Sequence, residues 1–283
     1  MRKPKFAGIF YEGSSDKLKK QLEDSFLGEK GPGELPGKRT GKVQAVITPH
    51  AGYVYSGMCA AWSYKAIGES EIPDLYIIFG PNHHAPVSGM SVESFETPLG
   101  IIRTDLEFAK TLEEKGTIGV NEKIHQLEHS VEVQIPFLQY ANEKDIEKVK
   151  VLQILISTDI DIDQLAADLK ETIMDLKKTV VYIVSSDFTH YGINYHYVPF
   201  VDNIQENLYK LDADAIEYIK KLDYKGFMGF VDEKEMTICG QLPIALLLRL
   251  VKSKKVELEA YYTSGDLSKN YRNSVSYASV IFR

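Results

Sequence analysis

The chain has 283 residues, 44% of them hydrophobic and 26% charged, with a formal charge of −7. That length buries a sizeable core without disulfide or metal staples, and the acidic balance excludes the broad basic footprint that nucleic-acid binding needs. Two cysteines, Cys59 and Cys239, are too few for a disulfide framework and fit a reducing compartment.

The basic start, Met1-Arg2-Lys3-Pro4-Lys5, is not followed by the apolar stretch of a signal peptide. The strongest apolar run, Pro243 to Val251, is interrupted by Arg249 and is too short to span a bilayer. A cytoplasmic protein with no membrane or nucleic-acid partner is expected. Gly28 to Gly41 reads as a loop, too near the N-terminus to separate a pair of folded units, so residues 1–283 are expected to form one domain. Val43 to Thr48 has the run of a buried strand, Tyr55 to Ile67 the small residues of a packed helix, and Leu75 to Phe79 the next strand. Ile101 to Arg103 is a short strand, and Asp105 stands where it caps the helix that follows. Ser130 to Asn142 is expected to be helical, with a kink or boundary at Pro136.

Val149 to Ile156 is a strand, and Asp163 to Leu176 a helix with its apolar face at Leu165, Leu169, Ile173 and Leu176. Thr179 to Ser185 is a strand of β-formers. Ile204 to Leu222 reads as a helix broken near Asp212, and Gln241 to Lys252 as an apolar helix followed by a solvated lysine turn. Val256 to Thr263 and Val275 to Phe282 close the chain as strands. Strands alternating with helices predict an α/β fold, a single three-layer α/β/α domain around a central mixed, mostly parallel sheet. The mixed character comes from the last two strands, which no helix separates.

Functional groups of open α/β sheets collect just past the carboxyl ends of strands. Three predicted strands run into polar clusters there: Thr48-Pro49-His50-Ala51-Gly52-Tyr53, Gly80-Pro81-Asn82-His83-His84, and Ser185-Ser186-Asp187-Phe188-Thr189-His190-Tyr191. Four of the seven histidines, His50, His83, His84 and His190, therefore lie in strand-exit loops. Imidazole is the commonest metal ligand and acid/base near neutral pH, and histidines on separate fixed strand ends can grip one ion. His83 and His84 are adjacent, so only one is expected to reach a shared site. Cys239 precedes the apolar helix, where exposed N–H groups would lower a thiol pKa; ligand, nucleophile and small buried hydrophobe all remain open for it. Cys59 reads as core. In Glu128-His129-Ser130-Val131-Glu132, a helix would place His129 and Glu132 on one face, as a ligand pair, a carboxylate-held imidazole or a simple helix start. No phosphate loop, Gly-x-Ser-x-Gly or His-Glu-x-x-His is present.

These segments together resemble the Memo family, whose archaeal and bacterial members are also called protein B of the AmmeMemoRadiSam system. The resemblance is carried by Ala7-Gly8-x-Phe10-Tyr11, Pro49 to Tyr53, Gly80 to His84, Glu128 to Glu132 with Pro136, Ser185 to His190, Thr237-Ile238-Cys239-Gly240 and Ser274 to Ala278, in order along the whole chain. Phe10 departs from the tryptophan the family often has.

The resemblance implies a fold similar to the class III extradiol dioxygenases, in which two histidines and a carboxylate hold non-haem iron. It places His50 and His83 as ligands, Cys239 where the dioxygenases have their carboxylate, and His190 at the acid/base position, also a candidate fourth metal ligand and oriented by Asp187. Thiolate for carboxylate softens the site, so iron or copper is expected ahead of zinc. Two functions follow as expectations. One is a dioxygenase-like, metal-dependent redox enzyme acting on an unknown small molecule. The other is a non-enzymatic metal-handling or peptide-binding adaptor that uses the same cleft. The family name also implies a functional link to radical-SAM and AMMECR1-type proteins.

Overall fold

A computed structural model describes residues 1–283. The chain opens with helix α1 (Ser15–Leu27), strand β1 (Ala45–Thr48), α2 (Tyr53–Gly68) and β2 (Leu75–Pro81). Three short strands follow, β3 (Gly89–Ser91), β4 (Phe95–Thr97) and β5 (Gly100–Thr104), then α3 (Leu106–Glu113), the single turn α4 (Glu122–His125) and α5 (Gln134–Ala141). Next come β6 (Lys150–Ile156), α6 (Ile162–Leu176), β7 (Val180–Ser185) and β8 (His190–Gly192). The chain ends with α7 (Ile204–Lys220), α8 (Tyr224–Glu233), α9 (Gln241–Leu250), β9 (Val256–Thr263), α10 (Ser264–Ser268) and β10 (Asn273–Phe282).

All ten strands join one mixed sheet along the path β4-β5-β6-β2-β7-β1-β10-β8, with β3 on β6 and β9 on β10. The centre, β5-β6-β2-β7-β1, is parallel. The antiparallel pairings lie outside that centre, including β10 on both β1 and β9. Period-two alternation divides the apolar residues between the sheet's faces. Leu75, Ile77 and Phe79 of β2 pack with Phe108, Leu165, Ile216, Phe227 and Leu246 beneath α3, α6, α7, α8 and α9. Tyr76 and Ile78 pack the other way, against Leu18, Phe26, Tyr64 and Phe137 of α1, α2 and α5. Each fully buried Ile or Phe contributes roughly 1.5–3 kcal/mol. The three-layer expectation is met.

Local chemistry sets the element ends. The Asp105 side chain accepts from Phe108 N and caps α3; Asp161 accepts from Asp163 N and Gln164 N and caps α6. Three expectations are corrected. Helix does not begin at Ser130 but at Gln134, because the Glu128 carboxylate takes Ser130 N into a turn. Pro136 then sits in the first turn of α5, where a missing N–H costs nothing and causes no kink. α7 runs unbroken through Asp212, whose buried carboxylate accepts from the Thr189 and Tyr261 hydroxyls at 2.6 and 2.5 Å. The helix α1, unmarked in the sequence reading, covers the outer side of α2. No helix is long and apolar enough to cross a membrane.

Candidate metal centre

β7 lies between β2 and β1, with Phe79 level with Val184 and Thr48 level with Ser185. The three parallel strands therefore release their loops side by side, and His50, His83 and Asp187 each follow their strand's last residue by two. Two glycines let further segments close on these exits. A Cβ at Gly80 would stand 2.5 Å from Ser130 Oγ, and one at Gly240 would run into Ser186 Cβ. Gly80 thus admits the Glu128–Ser130 turn, pinned by Ser130 Oγ donating to Pro81 O at 3.0 Å. Gly240 admits the Cys239 loop, pinned by its own N–H donating to Ser186 Oγ at 3.0 Å.

Hydrogen-bond partners assign the tautomer of each imidazole. His50 Nδ1 is 2.9 Å from Ser185 Oγ. That hydroxyl donates its only proton to Ser130 O at 2.6 Å, so His50 Nδ1 is the donor and Nε2 keeps its lone pair. Gln134 holds the hydroxyl from the other side through Nε2 at 2.9 Å, and its Oε1 accepts from Tyr64. His83 Nδ1 is 2.9 Å from Glu128 Oε1. Burial alone would raise the Glu128 pKa, but hydrogen bonds from the His83 ring and from His83 N and Ser130 N bring it down to about 2. Glu128 is therefore an acceptor, and His83 Nε2 is free. His190 Nδ1 faces two carbonyls, Phe188 O at 3.0 Å and Thr237 O at 3.1 Å, so it too donates and leaves Nε2 free.

Donor atoms of His50, His83 and Cys239 lie within 4.8 Å of one another. His50 Nε2 is 3.1 Å from Cys239 Sγ and 4.0 Å from Asp187 Oδ2. Burial, then the neighbouring His129, His83 and His190, pushes the His50 pKa well below its ordinary value, so its ring is neutral and ready to ligate. The lowered thiol pKa expected for Cys239 is corrected. Burial, followed by the nearby Asp187 carboxylate, pushes it well up, and the first N–H of the helix approach is spent on Ser186. A metal would bind Cys239 by displacing its proton.

His190 is not among the three converging donors; its backbone N–H and carbonyl are tied to the Thr237 hydroxyl at 2.9 and 2.8 Å. Its orientation by Asp187 is also corrected: the two carbonyls hold the ring, and Asp187 Oδ1 instead accepts from His50 N at 2.8 Å and Ala51 N at 3.3 Å. His129 and Glu132 are not a pair. Glu132 is turned to the N-terminal arm, accepting from Phe6 N and Tyr11 OH at 2.7 and 2.9 Å. The His129 ring is stacked on His83 with centroids 4.9 Å apart and packs at a tilt against Phe10 at 4.5 Å. Cys59 is buried in the core, as expected.

A family profile described as Memo-like protein matches residues 2–281. The chain belongs to the Memo family. Proteins named MEMO1 family protein match it end to end. That of Sulfurisphaera tokodaii is 40% identical over 293 residues, covering 100% of this chain and 99% of the relative. Those of Thermococcus onnurineus and Sulfolobus acidocaldarius are 36% and 38% identical with the same coverage. A solved structure, an uncharacterized protein JW3007 from Escherichia coli K12, shares the fold with a TM-score of 0.53 at 13% identity, covering 86% of this chain and 100% of its own.

Within this Memo chain, the groups that sequence reasoning passed over are those behind the ligands: Glu128, Ser185, Gln134 and Thr237. Glu128 and Ser185 stand inside the family motifs, so their presence was visible but their partners were not. Thr237 both donates to His190 O and accepts from His190 N, locking that loop. Two imidazoles and one thiol suit a soft or borderline transition metal better than magnesium or calcium.

Proposed function

We propose that His50, His83 and Cys239 hold an iron or copper ion, and that the centre serves redox chemistry on a small molecule, with His190 and Asp187 handling protons beside it. One observation carries this reading. Partners outside the centre fix the His50 and His83 tautomers so that each Nε2 keeps its lone pair, with His50 Nε2 3.1 Å from the Cys239 thiol and the donor atoms of all three residues within 4.8 Å of one another. Metal-ligating histidines are oriented in this way, with the second ring N–H donated to a carboxylate or other acceptor. A bound ion would supply Lewis acidity and electron exchange. The chain's own part is to keep Glu128 ionised and to keep a free imidazole nitrogen at His190. The substrate is left open.

A second reading, docking of a partner protein or peptide, has its own support. Exposed apolar residues follow or neighbour the site segments: Ile9 beside Phe10, Val54 and Tyr55 after His50, and Ile193 and Tyr195 after His190. Such a rim suits an apolar partner.

The test is metal analysis of untagged protein, purified without chelator, beside the His50→Ala/His83→Ala double variant. Stoichiometric iron or copper in the parent and none in the variant is the expected result. Equal metal in both would refute the centre. Turnover of any screened substrate that depends on His190 would separate the enzyme from the adaptor.

A further inference from the structure

Behind the three converging donors lies a second group of possible ligands that this reading does not use. Donor atoms of His83, Glu128 and His129 also lie within 4.8 Å of one another. His83 belongs to both groups, but its Nδ1–H is committed to Glu128. An ion resting permanently in the outer group would have to break the bond that orients His83 for the inner one. The outer group can therefore hold a cation only in passing.

Both His129 and His84 are open to solvent. The His129 side chain is 18% exposed and His84 is exposed, as is the shared ligand His83 at 30%, whereas the His50 side chain is 2% exposed. His129 makes no hydrogen bond through either ring nitrogen, although Nδ1 stands 3.3 Å from Glu128 Oε1. Stacking on His83 and tilted packing against Phe10 hold its ring and leave the nitrogens available. The ring of His84 is likewise free of hydrogen bonds, since only its backbone N–H is tied, to Asn82 Oδ1 at 3.0 Å. His84 directly follows His83, whose ring stacks on His129 with centroids 4.9 Å apart. The ionised Glu128 carboxylate lies 3.3 Å from His129 Nδ1 and attracts a cation.

We propose that His84 and His129, with the Glu128 carboxylate, form an outer, transient seat through which a metal cation reaches His50, His83 and Cys239. This rests on the reading that the inner three residues hold the metal. A hydrated ion exchanges its waters one at a time, and two unengaged imidazoles at the mouth offer the first replacements. No bond of the final complex involves them. Removing them therefore slows loading and release by the same factor and leaves the equilibrium constant unchanged.

The experiment is stopped-flow loading of the full chain with Co(II), read by the near-ultraviolet cobalt–thiolate band that Cys239 alone can produce, followed by release to excess chelator. It is run on the parent, His84→Asn and His129→Asn. The expected result is loading slowed by about ten-fold or more in His129→Asn, the lower end of what cation focusing in a cleft contributes to an on-rate. His84→Asn, at an exposed position that the fold does not need, shows a smaller slowing. Release slows in parallel and Kd is unchanged. Parent-like loading rates in both variants would overturn the outer seat while leaving the inner centre standing. So would faster release from His129→Asn at an unchanged loading rate, which would make His129 a permanent ligand. Absence of the band in the parent would remove the inner centre, and this inference with it.

Discussion

Replacing Glu128 by glutamine changes one atom of a side chain that touches no part of the converging donor set except His83, yet the effect should be felt across it. Every group bonded to the Glu128 carboxylate is an N–H: His83 N at 2.7 Å on one oxygen, His83 Nδ1 at 2.9 Å and Ser130 N at 2.8 Å on the other. An amide has one acceptor and one donor end, so its NH2 must face an N–H whichever way it is turned. Facing the backbone of His83, it leaves a buried N–H unpaired, which costs about 1–3 kcal/mol of stability. Facing the ring, it forces His83 into the other tautomer, with the proton on Nε2 and the lone pair withdrawn from the centre. Loss of such an orienting partner typically weakens metal binding by about 10–100-fold, or roughly 1.4–2.8 kcal/mol. The assay is competition for Cu(I) against a chromophoric chelator, with urea denaturation of the apo-protein alongside. Parent-like affinity and stability in Glu128→Gln would refute the claim that this carboxylate orients His83.

A second prediction concerns pH. His125 is fully buried, donates Nε2–H to Gly89 O at 3.1 Å, and is lowered to about 4 by burial and then by Arg2. Its folded pKa lies below the unfolded value of about 6.5, so the unfolded chain binds more protons between the two. Stability is retained above pH ~6.5 and lost as pH falls toward 4, by roughly 3 kcal/mol from this residue. The loss of unfolding free energy between pH ~6.5 and 4 should shrink by about that amount in His125→Gln; an unchanged loss would show that His125 is not the group responsible. At Gly240, an added Cβ collides with Ser186 Cβ and stands 2.9 Å from Ser185 O. Gly240→Ala should destabilise by about 1–3 kcal/mol, and Ser186→Gly in the same chain should recover some of the loss. A double variant no more stable than Gly240→Ala alone would place the strain elsewhere.

Much of the architecture is legible in the sequence because strand and helix periods leave direct traces. The continuous run Leu75 to Phe79 is short and rich in β-formers, as a strand buried on both faces is, and Asp105 caps a helix where a capping residue is expected. The positions of His50, His83 and Cys239 are legible from strand exits and from the family resemblance. What those residues touch is not. Whether Glu128 holds His83 or faces solvent depends on Gly80 letting a turn close on β2, a contact across 45 residues of chain. The thiol pKa of Cys239 escapes for a similar reason. A helix N-terminus is written locally, but burial and the approach of Asp187 are tertiary, and here they prevail. Ser130 to Asn142 reads as helix by composition, yet one side-chain bond to Ser130 N delays its start to Gln134.

The three converging donors arrive on separate connections. Both imidazoles leave the sheet from β1 and β2, on either side of β7, while Cys239 comes in from the opposite layer, on the link between α8 and α9. The hard or soft character of the donor set is thus carried by a residue whose segment shares no strand with the histidines. Descent within such a fold can retune which ion it accepts by altering one short connection, with the imidazole pair inherited intact. The same division makes the chain a scaffold for metal-selectivity design: substitutions confined to position 239 would vary the third donor while Thr237 and Gly240 keep their contacts with His190 and Ser186.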